Sequence, residues 1–357
     1  MLMALLTYHL KACSKYLEKM AGAIIVSKTQ RKKGVMRMLN YKQSGVDIDK
    51  ADALTAIIKK TVASDNIGMF AGLYEHPFIP EYYLCACTDG VGTKVIPLME
   101  RGLIDTIAVD LIAMNLNDMI CTGAKPMFFL DYFATSVLDI DIAARFIQAL
   151  KNILSKYNCM LLGGETAELN GLITKGHFDV GGFAVGIVRK DKVLRKENIT
   201  EDDIVIGLKS SGPHSNGYTL VRKLHEQGLL CDEDMTEALQ PTNIYVNEVI
   251  DLCNKQLLKV SAHITGGGLA DNLARVIPEG LSANIFKKNI PQMSIFEKLA
   301  TLVGEEEAYK TFNMGVGMCL IASPEKVDKI LAICAEFEPF ILGRMEKDEE
   351  NCSIRLR

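Results

Sequence analysis

The sequence predicts an α/β (α+β) protein of two domains. Helical and strand periodicities alternate through both halves of the chain. Its 357 residues exceed what one ordinary core organises and suit two. A charged run, RKDKVLRKENITEDD from Arg189 to Asp203, interrupts the alternation and reads as a domain boundary. The expected division is an N-terminal extension over 1–39, an N-terminal domain over 40–190 and a C-terminal α/β domain over 191–357.

The elements follow in order. ADALTAIIKKT (51–61) has helical spacing behind a candidate N-cap, Asp49. Tyr82–Thr88 reads as a buried strand ending in DGVGTK (89–94). Residues 105–122 contain the helix DLIAMNLNDMIC. Pro126–Phe133 is a second apolar strand and Ile140–Tyr157 an amphipathic helix. Cys159–Leu162 is a short strand running into Gly163-Gly164-Glu165 at a turn, and Val180–Val188 a glycine-dotted strand. Past the boundary come a strand at Ile204–Leu208, a polar loop at 210–216 and a helix at 217–227. Ala262–Ile264 leads through Thr265-Gly266-Gly267-Gly268 into a helix at 269–276. Val316–Ala322 is a late strand, Glu325–Phe337 a helix, and a short polar strand closes the chain.

Composition narrows the function classes. Residues 1–40 carry eight Lys/Arg against Glu18 alone, and the remainder is net acidic at −11. An acidic body argues against a nucleic-acid partner. No apolar run reaches the roughly 18–20 residues that span a bilayer, so no membrane association is expected. The basic N-terminal segment fits a transit peptide or, on the favoured reading, a tail with Met36 or Met38 as the natural start. Ten cysteines occur without a CxxC pair. They read as small core residues in a reducing compartment, and a cytoplasmic location is expected.

Five polar segments carry candidate chemistry. In DGVGTK, Asp89 at a strand end suits a hard cation, Gly90 and Gly92 let backbone approach a ligand, and Lys94 can meet a phosphate. A plain turn with an exposed lysine accounts for it equally well. On DLIAMNLNDM (110–119), Asp110, Asn115 and Asp118 share roughly one helix side. A cation would satisfy them, although an early-turn Asp110 and an exposed Asp118 would also suffice. GGETAE (163–168) offers Glu165 on a turn, or a helix cap at Thr166. SSGPHSNGY (210–218) brings small donors and His214 before a helix, although a lone loop histidine is more often solvated. HITGGGL (263–269) sets three glycines before a helix, and the expected return is backbone N–H groups aimed at an anion.

Together with YKQSGVDID (41–49), GAKPMFFLDY (123–132) and TFNMGVGM (311–318), these strings resemble the phosphoribosylformylglycinamidine cyclo-ligase (aminoimidazole ribonucleotide synthetase) family. They span nearly the whole chain after residue 40. The 66–73 loop, NIGMFAGL, has less glycine than the family pattern. The resemblance implies two α/β domains, with N-terminal sheets pairing into the barrel of a homodimer. It implies ATP and Mg²⁺, with K⁺ as a further candidate, and formylglycinamidine ribonucleotide as the small-molecule substrate. The formyl oxygen would be phosphorylated, and a neighbouring nitrogen would then close the imidazole ring. By family position, Asp89, Asn117, Asp118 and Glu165 serve the metal. Lys42, Gly90, Gly92, Thr93, Lys94, Gly266, Gly267 and Gly268 serve the nucleotide. Lys94, His214 and Asn216, with Ser215 beside them, act on substrate or transferred phosphate. The competing readings are a thiamine-monophosphate-kinase-like enzyme and a catalytically silent nucleotide-binding scaffold.

Overall fold

The computed structural model describes residues 48–62, 69–348 and 353–357. The extension 1–39 and Lys42 lie outside the described residues. Helix α1 (Ile48–Val62) begins before Asp49, so Asp49 sits in the first turn and not at the cap.

The first sheet is built from β1 (Gly72–Glu75), β2 (Tyr82–Gly90), β3 (Lys125–Thr135), β4 (Met160–Glu168) and β5 (Phe178–Arg189), in the order β1-β2-β5-β3-β4. Only β3 and β4 run parallel, joined by a helical crossover as parallel pairing requires. Between these strands lie α2 (Val95–Glu100), α3 (Ile104–Ile120) and α4 (Ile140–Ser155). Helix α4 is amphipathic. It buries Phe146, Leu150 and Leu154 and is capped by Asp139, which accepts from the N–H groups of Asp141 and Ile142. Helix α3 carries apolar residues around its whole circumference, with Ile107, Leu111, Ile112, Leu116 and Met119 sealed from solvent and Asp110, Asn115 and Asn117 buried among them. A helix of that kind is buried all round, and α3 is enclosed by the first sheet, by α4 and by elements of the C-terminal domain.

That domain runs β6 (Ile204–Lys209), α5 (Tyr218–Glu226), α6 (Asp232–Ala238), α7 (Val246–Asn254), β7 (Val260–His263), α8 (Gly268–Ala274), β8 (Leu281–Ile285), α9 (Ser294–Val303), α10 (Glu305–Thr311), β9 (Val316–Ala322), α11 (Val327–Ile333), β10 (Phe340–Lys347) and β11 (Ile354–Leu356). Its six-stranded sheet has the order β11-β8-β10-β6-β9-β7. Strand β9 is buried along its whole length, whereas β5 alternates buried with more exposed positions. The second sheet is therefore covered at β9 on both faces. The first is covered by helices on one face, while the other shows Tyr132 and Phe183 more than two-fifths exposed.

Two differences from the sequence reading matter for the site. The strand expected at Cys159–Leu162 continues to Glu168, because Leu130–Thr135 pair in register with Gly163–Glu168. Gly163-Gly164-Glu165 is therefore strand and not turn. The glycine is explained by Asp131, whose carboxylate and backbone occupy the space a Cβ on Gly164 would need. The helix expected over Glu325–Phe337 is shortened to α11 between two 3₁₀ turns. Strands β1, β8 and β10, and the helices between residues 232 and 311 other than α8, had no recognised signal.

Candidate active site

Asp89 occupies the penultimate position of β2 and is held there by α3. Its backbone N–H donates to Asn115 Oδ1 (3.0 Å), and Asn115 Nδ2 donates back to the Asp89 carbonyl (3.1 Å). Asn115 reaches that strand because β5 has glycine at 182, where any Cβ would overlap the amide. The Asp89 carboxylate accepts from the Gly90 N–H (2.8 Å). Gly92 then turns the chain with φ +66°, a conformation suited to glycine.

Asp89, Gly90, Gly92 and Tyr132 from the N-terminal domain line a cleft of about 500 Å³ with Asn216 and Thr265 from the C-terminal domain. Ser215 lines it too, and its hydroxyl lies 3.1 Å from Thr242 Oγ1. Asn216 Nδ2 is a buried donor with no hydrogen-bond partner among the described residues. An uncompensated donor of this kind is costly unless a ligand acceptor meets it.

Asp118, near the end of α3, is paired with His263 at the end of β7, Oδ1 to Nδ1 at 2.7 Å. Burial pushes the Asp89 carboxyl up to about 6, and the Asp118 charge adds to the rise. Two acids crowded in this way favour a cation between or beside them. No group of three or more His, Cys, Asp or Glu suited to a metal occurs among the described residues. The pair therefore fits a hard cation only if phosphate and water oxygens complete its shell, as is usual for Mg²⁺.

Several expected site residues stand elsewhere. Lys94, expected at a phosphate, is sealed from solvent: Nζ lies 2.8 Å from Asp110 Oδ2 and donates to the Gln240 carbonyl at 2.8 Å. Burial pulls the Lys94 ammonium down and pushes the Asp110 carboxyl up, and each charge offsets the other's shift. Asp110 also accepts from the Thr242 N–H (2.7 Å), so it does not share the Asp118 site despite the helical spacing. Asn117, expected on the metal, is fully buried. Its Oδ1 accepts from the Tyr245 N–H (3.0 Å) and its Nδ2 donates to the Asn243 carbonyl (2.8 Å). Glu165 is exposed on edge strand β4, beside Tyr132 in register but not among the cleft-lining residues. Thr93 Oγ1 lies 3.1 Å from Thr219 Oγ1 across the domain boundary.

His214 is buried and not solvated, at φ +59°. Its Nε2 accepts from the Ser211 N–H (3.3 Å), and burial holds its pKa well below the ordinary imidazole range. In the glycine triplet, Gly267 has φ +90° and Gly268 packs where a Cβ would overlap the Tyr309 carbonyl. The turn itself thus requires two of the three, which weakens the entropic argument for an anion cradle. Asn272 organises the loop, with Nδ2 donating to the carbonyls of Gly266 (3.0 Å) and Gly268 (2.7 Å). Asn272 and the 240–245 segment carried no sequence signal: the asparagine is an ordinary helix residue, and the segment contributes mainly backbone groups.

Two family models match the chain: AIR synthase related protein, N-terminal domain, over residues 71–188, and its C-terminal domain over 200–353. A protein of Vigna unguiculata named phosphoribosylformylglycinamidine cyclo-ligase, chloroplastic/mitochondrial, is 46% identical over 304 residues, covering 82% of this chain and 77% of that one. A phosphoribosylformylglycinamidine cyclo-ligase of Clostridium botulinum (strain 657 / Type Ba4) is 37% identical over 330 residues, 89% of this chain and 100% of its own. Among solved structures, AaThiL complexed with AMPPCP and TMP superposes with TM-score 0.63 at 19% identity, over 85% of this chain and 92% of that one. That likeness bears on the fold alone.

Proposed function

The chain belongs to the phosphoribosylformylglycinamidine cyclo-ligase family, and we propose that its interdomain cleft closes the imidazole ring of formylglycinamidine ribonucleotide, releasing ADP and phosphate. The observation that carries the reading is the meeting in a single cleft of Asp89 from one domain with Asn216 from the other, whose Nδ2 has no partner among the described residues.

An amide oxygen is a poor leaving group, and phosphorylation removes that obstacle. The protein's work is then positioning and charge neutralisation. Asp89 and Asp118 would hold Mg²⁺, which supplies charge neutralisation on the phosphates when bound. Asn216 Nδ2 would donate to a phosphoryl or substrate oxygen, with Ser215 and Thr265 beside it. His214, kept neutral by burial, is assigned to holding the 211–216 loop through Ser211. Gly90, Gly92 and Gly266 leave room for close backbone approach, while Lys94 and Asn117 act at the domain boundary. Lys42 is proposed to contact nucleotide or substrate, and Glu165, exposed on β4 and not among the cleft-lining residues, to serve the metal.

The homodimer is part of this proposal. The open face of the first sheet exposes Tyr132 and Phe183, and Met160 and Leu162 are exposed on its edge strand. A second copy would cover that apolar surface. Sedimentation should give a dimer, and a monomer at concentrations well above those of the assay would overturn this part. A cytoplasmic location rests on free cysteines, whereas two plant relatives carry organelle terms in their names. A reporter fused to residues 1–47 distinguishes the compartments.

The test of the activity is ADP release by the purified chain. Release only with formylglycinamidine ribonucleotide supports the proposal. Release with thiamine phosphate instead, or nucleotide binding without turnover, overturns it.

A further inference from the structure

We propose that His263 is the positioning residue of Asp118, and that Asn117 selects the imidazole tautomer this requires. The inference rests on the reading of Asp118 as a cation-binding carboxylate.

The chain of constraint starts at the backbone. Tyr245 presents an N–H to Asn117, which the amide can meet only with its oxygen. Asn243 presents a carbonyl, which it can meet only with its nitrogen. The Asn117 amide therefore has one orientation, and its Nδ2 stands 3.5 Å from His263 Nε2. An amide NH₂ cannot accept, so the ring nitrogen facing it is the bare one. The ring proton lies on Nδ1, 2.7 Å from Asp118 Oδ1. His263 thus donates to Oδ1 and leaves Oδ2 as the oxygen available to a cation.

The surroundings make this placement stiff. His263 has no solvent exposure, whereas the Asp118 side chain is 20% exposed. The next residue, Ile264, donates its N–H to the Gly317 carbonyl (3.0 Å), and Thr265 lines the cleft. The histidine is therefore anchored in the C-terminal sheet. It fixes a carboxylate of the other domain against the root of the glycine loop. Hydrogen-bonding partners of ligating groups act by orientation, and their loss typically costs about 10–100-fold in metal affinity.

The test uses the full chain, Mn²⁺ with ADP as the probe, and paramagnetic resonance as the readout. In His263→Asn the amide nitrogen replaces Nδ1–H, so binding should stay within about threefold of wild type. His263→Gln moves the donor outward and His263→Phe removes it, so both should weaken Mn²⁺–ADP binding by about 10–100-fold. Melting temperatures identify any variant that has lost its fold. Two-bond ¹H–¹⁵N correlation on the wild type should show the Nδ1–H tautomer without any ligand.

An Nε2–H tautomer overturns the proposal. So does wild-type binding in His263→Phe or His263→Gln, or a loss in His263→Asn equal to that in His263→Gln. A wild-type chain that binds no Mn²⁺–ADP overturns the nucleotide reading itself, and this proposal with it, and is told apart by that measurement.

Discussion

One helix, α3, carries two aspartates that meet opposite surroundings. Asp110 is sealed, paired with Lys94 and bonded to the Thr242 backbone. Asp118 is partly exposed, tethered to His263 and close enough to Asp89 to raise its pKa. At the sealed end a buried charge is neutralised within the protein, and the domains are thereby held together. At the open end Asp118 is held by His263, and its charge acts on Asp89, which lines the cleft. The difference teaches that a polar residue on an apolar helix signals a buried partner, but not whether that partner is protein or ligand. Asp131 is a reference for both ends: burial alone pushes its carboxyl up to about 6.

The largest effect is expected at the sealed end. Lys94→Met leaves Asp110 buried without its cation and should cost about 3–5 kcal/mol in denaturant unfolding. Lys94→Met with Asp110→Asn keeps an acceptor for the Thr242 N–H and should recover most of that loss. A single variant of wild-type stability that loses only ADP release would restore Lys94 to the phosphates and break the comparison.

Asp118→Asn should do the reverse. It keeps an acceptor for His263, so the melting temperature should move by only a few degrees. Turnover should fall on the order of 10²–10³-fold, as for other lost electrostatic stabilisers. Near-normal turnover would make the open end as structural as the sealed one.

Gly164→Ala is predicted to cost about 1–3 kcal/mol by overpacking against Asp131, and more than Gly163→Ala, which meets nothing nearby. Equal costs would remove Asp131 as the reason for that glycine.

The smallest effect is a pH dependence. The folded pKa of Asp131, about 6, lies above its ordinary 3.8, so the folded state binds the proton more tightly. Its contribution to stability is complete below about 4 and is lost as pH rises through about 6. Asp131→Asn should therefore gain melting temperature relative to wild type between pH 4.5 and 7. A constant difference across that range would show that Asp131 titrates alike in both states.

Much of the fold was legible. The strand at Val316–Ala322 and the start of the helix at Ile140 were read as they stand, because apolar runs and caps act over a few residues. Asp89, Gly90, Gly92 and Asn216, named from the sequence as candidate site residues, line one cleft. Lys94 and Glu165 show what was not legible. A lysine after a glycine turn looks identical whether it faces phosphate or a buried aspartate, and the strand carrying Glu165 extends only because β3 lies alongside.

By itself the sequence determined the alternation of helices and strands, the glycine-bearing turns and the family to which they belong, since these rest on local periodicity and residue order. Only the tertiary structure decided the partner of each buried polar group. Asp118 and His263 are 145 residues apart, and Asp110 and Thr242 are 132 apart. Short-range backbone geometry cannot specify such pairs; the packing of two domains around α3 does.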